Sequence, residues 1–220
     1  MNTAVGRKIV MSVTGVSMIA FVTVHLLGNS TLYAGPEGIN AYAAALHRFG
    51  VVIWAFRLTL FAMFSLHVIY GVQLYLDNRV AKPNGYAVAK NIASTFAGRN
   101  MIWTGLLIAG FVFYHLLQFT FQTVGPGPAA AAHPDSAGRP DVFTMVVQGL
   151  GSYAVSGLYC IGLAAVGLHL GHSIQSAVQT LGLNSERSLP LVIRGGTLAA
   201  LLIFLGFISI PLAILAGVVK

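Results

Sequence analysis

The chain has 220 residues, of which 56% are hydrophobic and only 8% are charged, and its mean hydropathy is +0.80. A soluble domain carries about 25% charged residues, so this composition excludes a soluble globular protein and predicts an integral membrane protein. The formal net charge of +7 comes from basic residues scattered between apolar runs, which argues against a nucleic-acid partner. The single cysteine, Cys160, excludes an internal disulfide and a cysteine-ligated cluster.

Five apolar stretches follow one another, and each reaches the roughly 20 residues that a spanning helix needs. They cover residues 9–29, 51–76, 101–124, 143–174 and 191–219. We therefore predict an all-α membrane protein of one domain, 1–220, with five transmembrane helices and a long loop at 125–140. The first stretch also resembles a signal peptide, because Arg7 and Lys8 precede it. However, "TLYAGP" is a poor cleavage site, and four helices would remain after cleavage.

The distribution of lysine and arginine predicts the orientation of the chain in the membrane. With five spans the connections alternate sides, and one side carries eight basic residues while the other carries three. The eight are Arg7, Lys8, Arg79, Lys82, Lys90, Arg99, Arg187 and Arg194, and the three are Arg48, Arg139 and Lys220. Because cytoplasmic connections carry the excess, we expect the N-terminus in the cytoplasm and the C-terminus outside.

Four histidines lie within the apolar stretches, at depths that alternate with the direction of the helices. They are His25 in "FVTVHLLGN", His67 in "LHVIYG", His115 in "FYHLLQF" and His169 in "GLHLGH". At about 1.5 Å per residue, the two on outward-running helices lie toward the outer side, and the other two lie toward the inner side. His25 and His115 therefore form an outer pair. His67 and His169 form an inner pair, about 15 Å away along the membrane normal.

Paired imidazoles at one depth predict haem ligation. A b-type haem takes two axial imidazoles from opposite sides of the porphyrin, and facing helices of a bundle can supply them. We therefore expect two haem b groups in a bundle of the first four spanning helices. The second ring nitrogen of each histidine needs an acceptor, such as a backbone carbonyl or the hydroxyl of Ser65 or Thr23. Gly15 and Gly105 lie at the inner depth, where they either admit a flat macrocycle or let helices approach closely.

Other basic residues near the predicted haems have two interpretations each. Arg57 lies at the depth of the outer haem, where it either pairs with a propionate or reaches the membrane interface. His172 follows His169 on the same helix face and is expected beside the inner haem or its propionate. His47 and His133 belong to outer loops and are expected to be solvated, although His47 could serve a quinone site.

Two other chemistries remain open for the histidines. A proton relay in a haem-free transporter would need acidic partners at membrane depth, and no Asp or Glu lies in the interior of an apolar stretch. A zinc site would need more ligands than the two imidazoles available at each depth. Haem is therefore favoured over both.

Four segments resemble the cytochrome b subunit of succinate dehydrogenase and fumarate reductase, in the single-chain, five-helix, two-haem type called the cytochrome b558 family. They are "GVSMIAFVTVHLLGN", "LHVIYGVQL", "GRNMIWTGLLIAGFVFYHLLQFT" and "GLYCIGLAAVGLHLGHSIQSAVQTLG". The resemblance covers nearly the whole chain, and the fourth segment is the most specific. It implies that the four paired histidines are the axial ligands, and that His169 rather than His172 is the ligand in "HLGHSIQS".

The same resemblance implies the function. Such a subunit anchors a flavoprotein with FAD and an iron–sulfur subunit at the cytoplasmic face of the bacterial inner membrane, and the dicarboxylate chemistry belongs to the flavoprotein. The haems carry electrons between the iron–sulfur clusters and a quinone, menaquinone in this type, near the outer haem. Succinate oxidation in the tricarboxylic acid cycle and fumarate reduction in anaerobic respiration use the same parts, so the direction is left open. A dimer of the heterotrimer is one option for the assembly.

Quinone chemistry moves protons as well as electrons, so its site needs polar groups near the outer surface. Glu37, His47 and Arg48, between the first two spans, are the candidates, and the alternative is that they are ordinary solvated loop residues. Two features depart from the family: the fourth helix lacks the glutamate that some relatives use for proton movement, and the loop 125–140 is longer than in compact relatives. The nearest rival function is a cytochrome b subunit of a hydrogenase or a formate dehydrogenase.

Overall fold

The structure is a computed structural model that describes residues 3–81, 95–125 and 133–220. Within these ranges the chain folds into helices and contains no β-strand. The helices are α1 (Ala4–Ser30), α2 (Gly35–His47), α3 (Val51–Ala81), α4 (Phe96–Arg99), α5 (Met101–His115), α6 (Val142–Leu150), α7 (Tyr153–Thr180) and α8 (Leu189–Leu215). A 3₁₀ turn, Thr31–Ala34, follows α1, and a π-helical turn, Leu116–Thr120, follows α5.

Five of the described helical segments are long and apolar enough to cross a membrane, which confirms that part of the sequence prediction. They are α1 with its continuation into α2, α3, α5 with its π-helical turn, α7 and α8. Large apolar side chains are exposed along all five, as expected for helices surrounded by lipid rather than water. The described helices are therefore those of a multi-pass membrane protein. Lys82 and Lys90, which entered the orientation prediction, and residues 126–132 of the long loop lie outside the described residues.

The first four spanning helices form a ring in the order α1, α3, α5, α7. Helix α1 contacts α3 and α7, and α5 contacts the same two helices, so α1 faces α5 and α3 faces α7 across the ring. Helix α8 packs outside the ring against α7 and α1. The approach of α7 and α8 depends on small residues, because a methyl group on Gly167 would lie 3.2 Å from Phe204. This arrangement leaves the inner faces of four helices opposite one another.

Two segments differ from the predicted boundaries. The connection between the first two spans contains α2, although it was expected to be a polar loop. The fourth apolar stretch, 143–174, is two helices, because the chain turns at Gly151 and the extended Ser152 between α6 and α7. Only α7 is long enough to span. The sequence did not indicate the break because α6 is as apolar as a spanning helix. Its apolar side chains are buried against other helices rather than in a membrane span.

Helices α2 and α6, with the C-terminal end of α8, cover one end of the bundle, called here the capped end. The opposite end, where α1 begins, is called the N-terminal end. The buried core of the capped end consists of Leu32, Ile39, Phe143, Met145, Val146, Leu150, Tyr159, Ile210, Ile214 and Val219. Asn40 of α2 is fully buried there: its amide nitrogen donates to Asp135 and Asp141, and its oxygen accepts from the backbone N–H of Phe143. These bonds fasten the loop before α6 onto α2.

Candidate haem sites

The structure brings the four histidines of the spanning helices together in the two pairs that their depths predict. The ring centres of His25 on α1 and His115 on α5 are 5.9 Å apart. The ring centres of His67 on α3 and His169 on α7 are 6.4 Å apart. An iron bonded to one nitrogen of each ring at about 2 Å, the usual imidazole–metal bond length, would hold the ring centres about 6 Å apart. Both diagonal pairs therefore have the spacing that a shared iron requires.

The hydrogen bonds of the His67–His169 pair leave one nitrogen of each ring available. Nδ1 of His67 lies 3.0 Å from the carbonyl oxygen of Met11 and 3.2 Å from the hydroxyl of Thr14. Nδ1 of His169 lies 3.0 Å from the hydroxyl of Thr104. Carbonyl and hydroxyl oxygens accept the Nδ1 proton, so Nε2 is the unprotonated nitrogen. Neither Nε2 atom has a hydrogen-bond partner within the described parts of the chain, and this is the state that an axial haem ligand needs.

Glycines provide space beside both of these rings. A methyl group on Gly15 would lie 3.3 Å from Cε1 of His67, and one on Gly105 would lie 3.5 Å from Cε1 of His169. A cavity of about 310 Å³ opens between the helices here, within the range of about 300–1,000 Å³ in which proteins hold ligands of drug size. Polar side chains also line this cavity, namely Asn78, Arg99, Ser173 and Ser176. Two free imidazole nitrogens, a glycine-lined space and a polar margin fit a haem with its two propionates.

The supports of this pair occur twice in the sequence, as the Thr-Gly dipeptides 14–15 and 104–105. Each dipeptide lies one helix away from the histidine that it contacts: α1 supports the histidine of α3, and α5 supports that of α7. The sequence analysis singled out the two glycines but missed the threonines. It suggested Ser65 or Thr23 as acceptors, whereas Thr23 donates to the carbonyl of its own helix at Ile19. The repeat of the dipeptide was the signal that could have revealed the two threonines.

The His25–His115 pair has different surroundings. The ring of His25 stacks on Phe21, with ring centres 5.3 Å apart, and lies 5.9 Å from the ring of Phe207. The amide nitrogen of Asn29 donates to the carbonyl of His25 at 2.8 Å and lies 3.3 Å from both ring nitrogens. Aromatic rings therefore enclose His25, and neither of its ring nitrogens is fixed by an acceptor among the described residues.

His115 begins a chain of hydrogen bonds that runs into the capped end. Its Nδ1 lies 3.2 Å from the hydroxyl of Tyr159, which donates to the side-chain oxygen of Gln118 at 3.0 Å. The amide nitrogen of Gln118 donates to the carbonyl of Gly149 at 3.0 Å. The sequence analysis identified neither Tyr159 nor Gln118. No local pattern could have done so, because they lie on different segments.

Two other predicted site residues, Arg57 and His172, make no hydrogen bond to either histidine pair among the described residues. Arg57 is exposed, and its guanidinium lies 5.0 Å from the ring centre of Trp54, a placement that matches the interface alternative rather than a propionate contact. His172 lies beside Gly98, and its Nδ1 is 3.3 Å from the amide nitrogen of Gln175. His172 is not among the described residues that line the cavity. A role for either residue at a haem stays a prediction.

The three quinone candidates do not form one cluster. Glu37 makes a two-fold ion pair with Arg139, with both N–O distances 2.7 Å, and Arg139 also binds Asp135 at 2.8 Å. The hydrogen bonds that Arg139 donates to Glu37 and Asp135 raise the pKa of Arg139, and the backbone N–H of Arg139, which donates to Asp135, lowers the pKa of Asp135 to about 2. His47 and Arg48 are exposed at the far end of α2, about 15 Å from Glu37 by the rise of the helix.

A zinc site would need three or more protein ligands close together. No group of three or more His, Cys, Asp or Glu side chains that could hold a metal ion occurs in residues 3–81, 95–125 and 133–220. Comparison with known proteins adds no relative: no family model matches the chain, and neither a curated protein nor a solved structure matches it.

Proposed function

We propose that this chain is the di-haem cytochrome b membrane anchor of a succinate:quinone oxidoreductase or quinol:fumarate reductase. The observation that carries the proposal is the diagonal pairing of four imidazoles from four spanning helices, with ring centres 5.9 and 6.4 Å apart. Gly15 lies against His67, and His25 follows ten residues later on α1, so the pairs are about 15 Å apart along the bundle. Two pairs at this separation suit two haems stacked through the membrane.

At the His67–His169 pair, this chain's residues hold and orient the group. The two Nε2 atoms would hold the haem iron, while the carbonyl of Met11 and the two threonine hydroxyls keep the proton on Nδ1. A bound haem would supply one-electron oxidation and reduction of its iron. The glycines of the Thr-Gly dipeptides would leave room for the macrocycle, and the polar residues at the margin of the cavity would hold the propionates.

At the His25–His115 pair, aromatic side chains replace the small ones. Phe21 and Phe207 surround His25, and Phe119 lies 5.6 Å from His115, ring centre to ring centre. These rings exclude water, and burial of this kind is one of the means by which a protein sets a haem potential. A haem held here would therefore have surroundings different from those at the other pair.

The basic residues give the proposed complex its orientation. The N-terminal end faces the cytoplasm of a bacterium, where the iron–sulfur subunit docks and the flavoprotein with FAD acts on succinate or fumarate. Haems held at the His67–His169 and His25–His115 sites would supply the one-electron steps between the iron–sulfur subunit and the quinone, in either direction. Menaquinone reacts near the capped end, where His47 and Arg48 are exposed and Glu37 is held by Arg139.

The experiment is to purify the chain from its native membranes and to measure what accompanies it. We expect two b haems per chain in a reduced-minus-oxidised spectrum with a haem count, and FAD and several iron–sulfur clusters in the co-purifying subunits. A chain without the α-band of a bis-histidine haem overturns the proposal in favour of a haem-free transporter. Nickel or molybdenum in the complex identifies a hydrogenase or formate dehydrogenase instead.

A further inference from the structure

Tyr159 of α7 connects a predicted haem ligand to the interior of the capped end. Its hydroxyl lies 3.2 Å from Nδ1 of His115 on one side and 3.0 Å from the side-chain oxygen of Gln118 on the other. Tyr159 is 6% exposed and Gln118 is 5% exposed. Since both side chains are buried, each must satisfy its polar groups with the protein partners named here rather than with bulk water.

The direction of each hydrogen bond follows from the last acceptor in the chain. The carbonyl of Gly149 can only accept, so the amide nitrogen of Gln118 faces it, and the amide oxygen faces Tyr159. The Tyr159 hydroxyl therefore donates its proton to Gln118. Its oxygen is left to accept, and among the described residues the proton that it can accept is that of Nδ1 of His115. The network thus keeps Nε2 of His115 unprotonated.

The backbone around Gln118 is specialised for this contact. Gln118 lies in the π-helical turn that follows α5, and such turns often occur at functional sites. The turn also lies directly against α6, because a methyl group on Gly149 would lie 2.9 Å from Phe119 and 3.1 Å from the amide nitrogen of Gln118. The position of Gln118 is therefore set by main-chain geometry and by a glycine.

We propose that Tyr159, held by Gln118, is a positioning residue for His115. It fixes the tautomer of the imidazole and makes it a more basic ligand, which stabilises ferric iron and lowers the potential of the haem at the His25–His115 pair. This inference depends on the proposed function, because it requires a haem at that pair. In the part of the chain that the structure describes, His25 has no such acceptor, so the effect acts through one of the two ligands.

The test is a redox titration of the purified complex with the Tyr159→Phe variant. Loss of the acceptor should favour reduction of one haem by about three- to tenfold, and a tenfold change is about 59 mV for one electron. The other haem should keep its midpoint. Thr104→Val shows which midpoint belongs to which pair. It acts at the His67–His169 pair, so it should shift the midpoint that Tyr159→Phe leaves unchanged. The electron paramagnetic resonance signal of the affected ferric haem should move as well.

A matched control and a second variant keep the inference testable. Tyr114→Phe removes a hydroxyl from a ring whose centre lies 6.3 Å from that of Tyr159, and it should leave both midpoints unchanged. Gln118→Leu removes the acceptor of the Tyr159 proton and should give a smaller shift of the same midpoint in the same direction. This variant tests the inference if the Tyr159→Phe complex does not assemble.

The outcomes separate the two proposals. Two assembled haems whose midpoints are unmoved by Tyr159→Phe and Gln118→Leu overturn the role of Tyr159 and leave the proposed function intact. An equal shift of the midpoint in Tyr114→Phe also overturns the role of Tyr159, because it points to a general change in packing. Absence of haem from the unmutated complex overturns the proposed function itself.

Discussion

The two histidine pairs hold the same side chains in different surroundings. At His67–His169, neighbouring helices provide one arrangement twice, with a threonine hydroxyl at Nδ1 and a glycine beside the ring. At the other pair, His25 stacks on an aromatic ring without an acceptor, whereas His115 bonds to a tyrosine held by a buried glutamine. An imidazole can therefore be oriented either by a repeated local motif or by a hydrogen-bond network that exists only in the folded chain.

The ends of the bundle repeat this contrast. The His67–His169 pair borders a cavity lined by residues of α1, α3, α5 and α7, near the N-terminal end. The other pair lies toward the capped end, where α2 and α6 close the bundle. Because hydrogen bonds and burial set haem affinity and potential, we expect substitutions at one pair to leave the other pair largely unaffected.

The largest effect is expected from His67→Ala. It should remove the haem at its own pair and leave the other, so that haem content falls to about half, because the pairs are about 15 Å apart and share no ligand. A haem count and a redox titration with one remaining component check this. His133→Ala, in an exposed loop, is the control and should keep both haems. Loss of both haems from His67→Ala, or equal loss in the control, contradicts the independence of the pairs.

A large but incomplete effect is expected from Gly15→Leu. The new side chain would fill space beside His67, and overpacking costs about 1–3 kcal/mol, so haem retention at that pair should fall about 5- to 150-fold. Stepwise haem extraction in detergent measures it. Gly157→Leu is the matched control, because a methyl group there has nothing within 4 Å. If both variants lose haem equally, the space beside Gly15 has no special role.

A moderate effect should distinguish the two copies of the Thr-Gly motif. Thr104 is the hydroxyl partner of Nδ1 in His169, whereas His67 also has the carbonyl of Met11. An unsatisfied buried donor costs about 1–3 kcal/mol, so Thr104→Val should shift the midpoint of that haem clearly, and Thr14→Val should shift it little. Redox titration of the two variants side by side tests this asymmetry, and equal shifts would show that Met11 does not substitute for the hydroxyl.

The smallest effect is expected in the loop before α6, which is fastened to α2 at the capped end. The pKa of Asp135 is lowered from 3.8 to about 2, chiefly by the backbone N–H of Arg139. The stability that the carboxylate contributes is therefore complete above pH of about 4 and is lost as the pH falls to about 2. Protection of the amides in residues 133–141, measured against the intrinsic exchange rate at each pH, should fall severalfold over that window.

Asp135→Asn sharpens the same measurement. This variant mimics the protonated side chain, so protection of these amides should be low already at neutral pH and nearly independent of pH. Glu186→Gln, an exposed carboxylate outside the cap, should leave the acid profile of the loop unchanged. A profile that is the same in all three proteins would rule out Asp135 as the fastening group.

The sequence predicted the spanning helices well, because apolar length is a local property. It placed four histidines at two depths by counting residues, and the structure puts them in those pairs. It missed α2 and the break between α6 and α7, since composition alone does not reveal where a helix turns or lies across the end of a bundle. It also grouped Glu37 with His47 and Arg48, although the length of α2 separates them.

The sequence alone was sufficient to predict the five described helical segments that are long and apolar enough to cross a membrane, and which histidines lie at the same level of the bundle. Both properties depend on hydrophobicity and on the fixed rise of a helix. Only the tertiary structure decided which hydroxyl meets which imidazole. Tyr159 and Gln118 are 41 residues apart, and their contact requires α7 and the π-helical turn to be packed together. Such contacts form only when distant segments are folded together, so no pattern within either segment contains them.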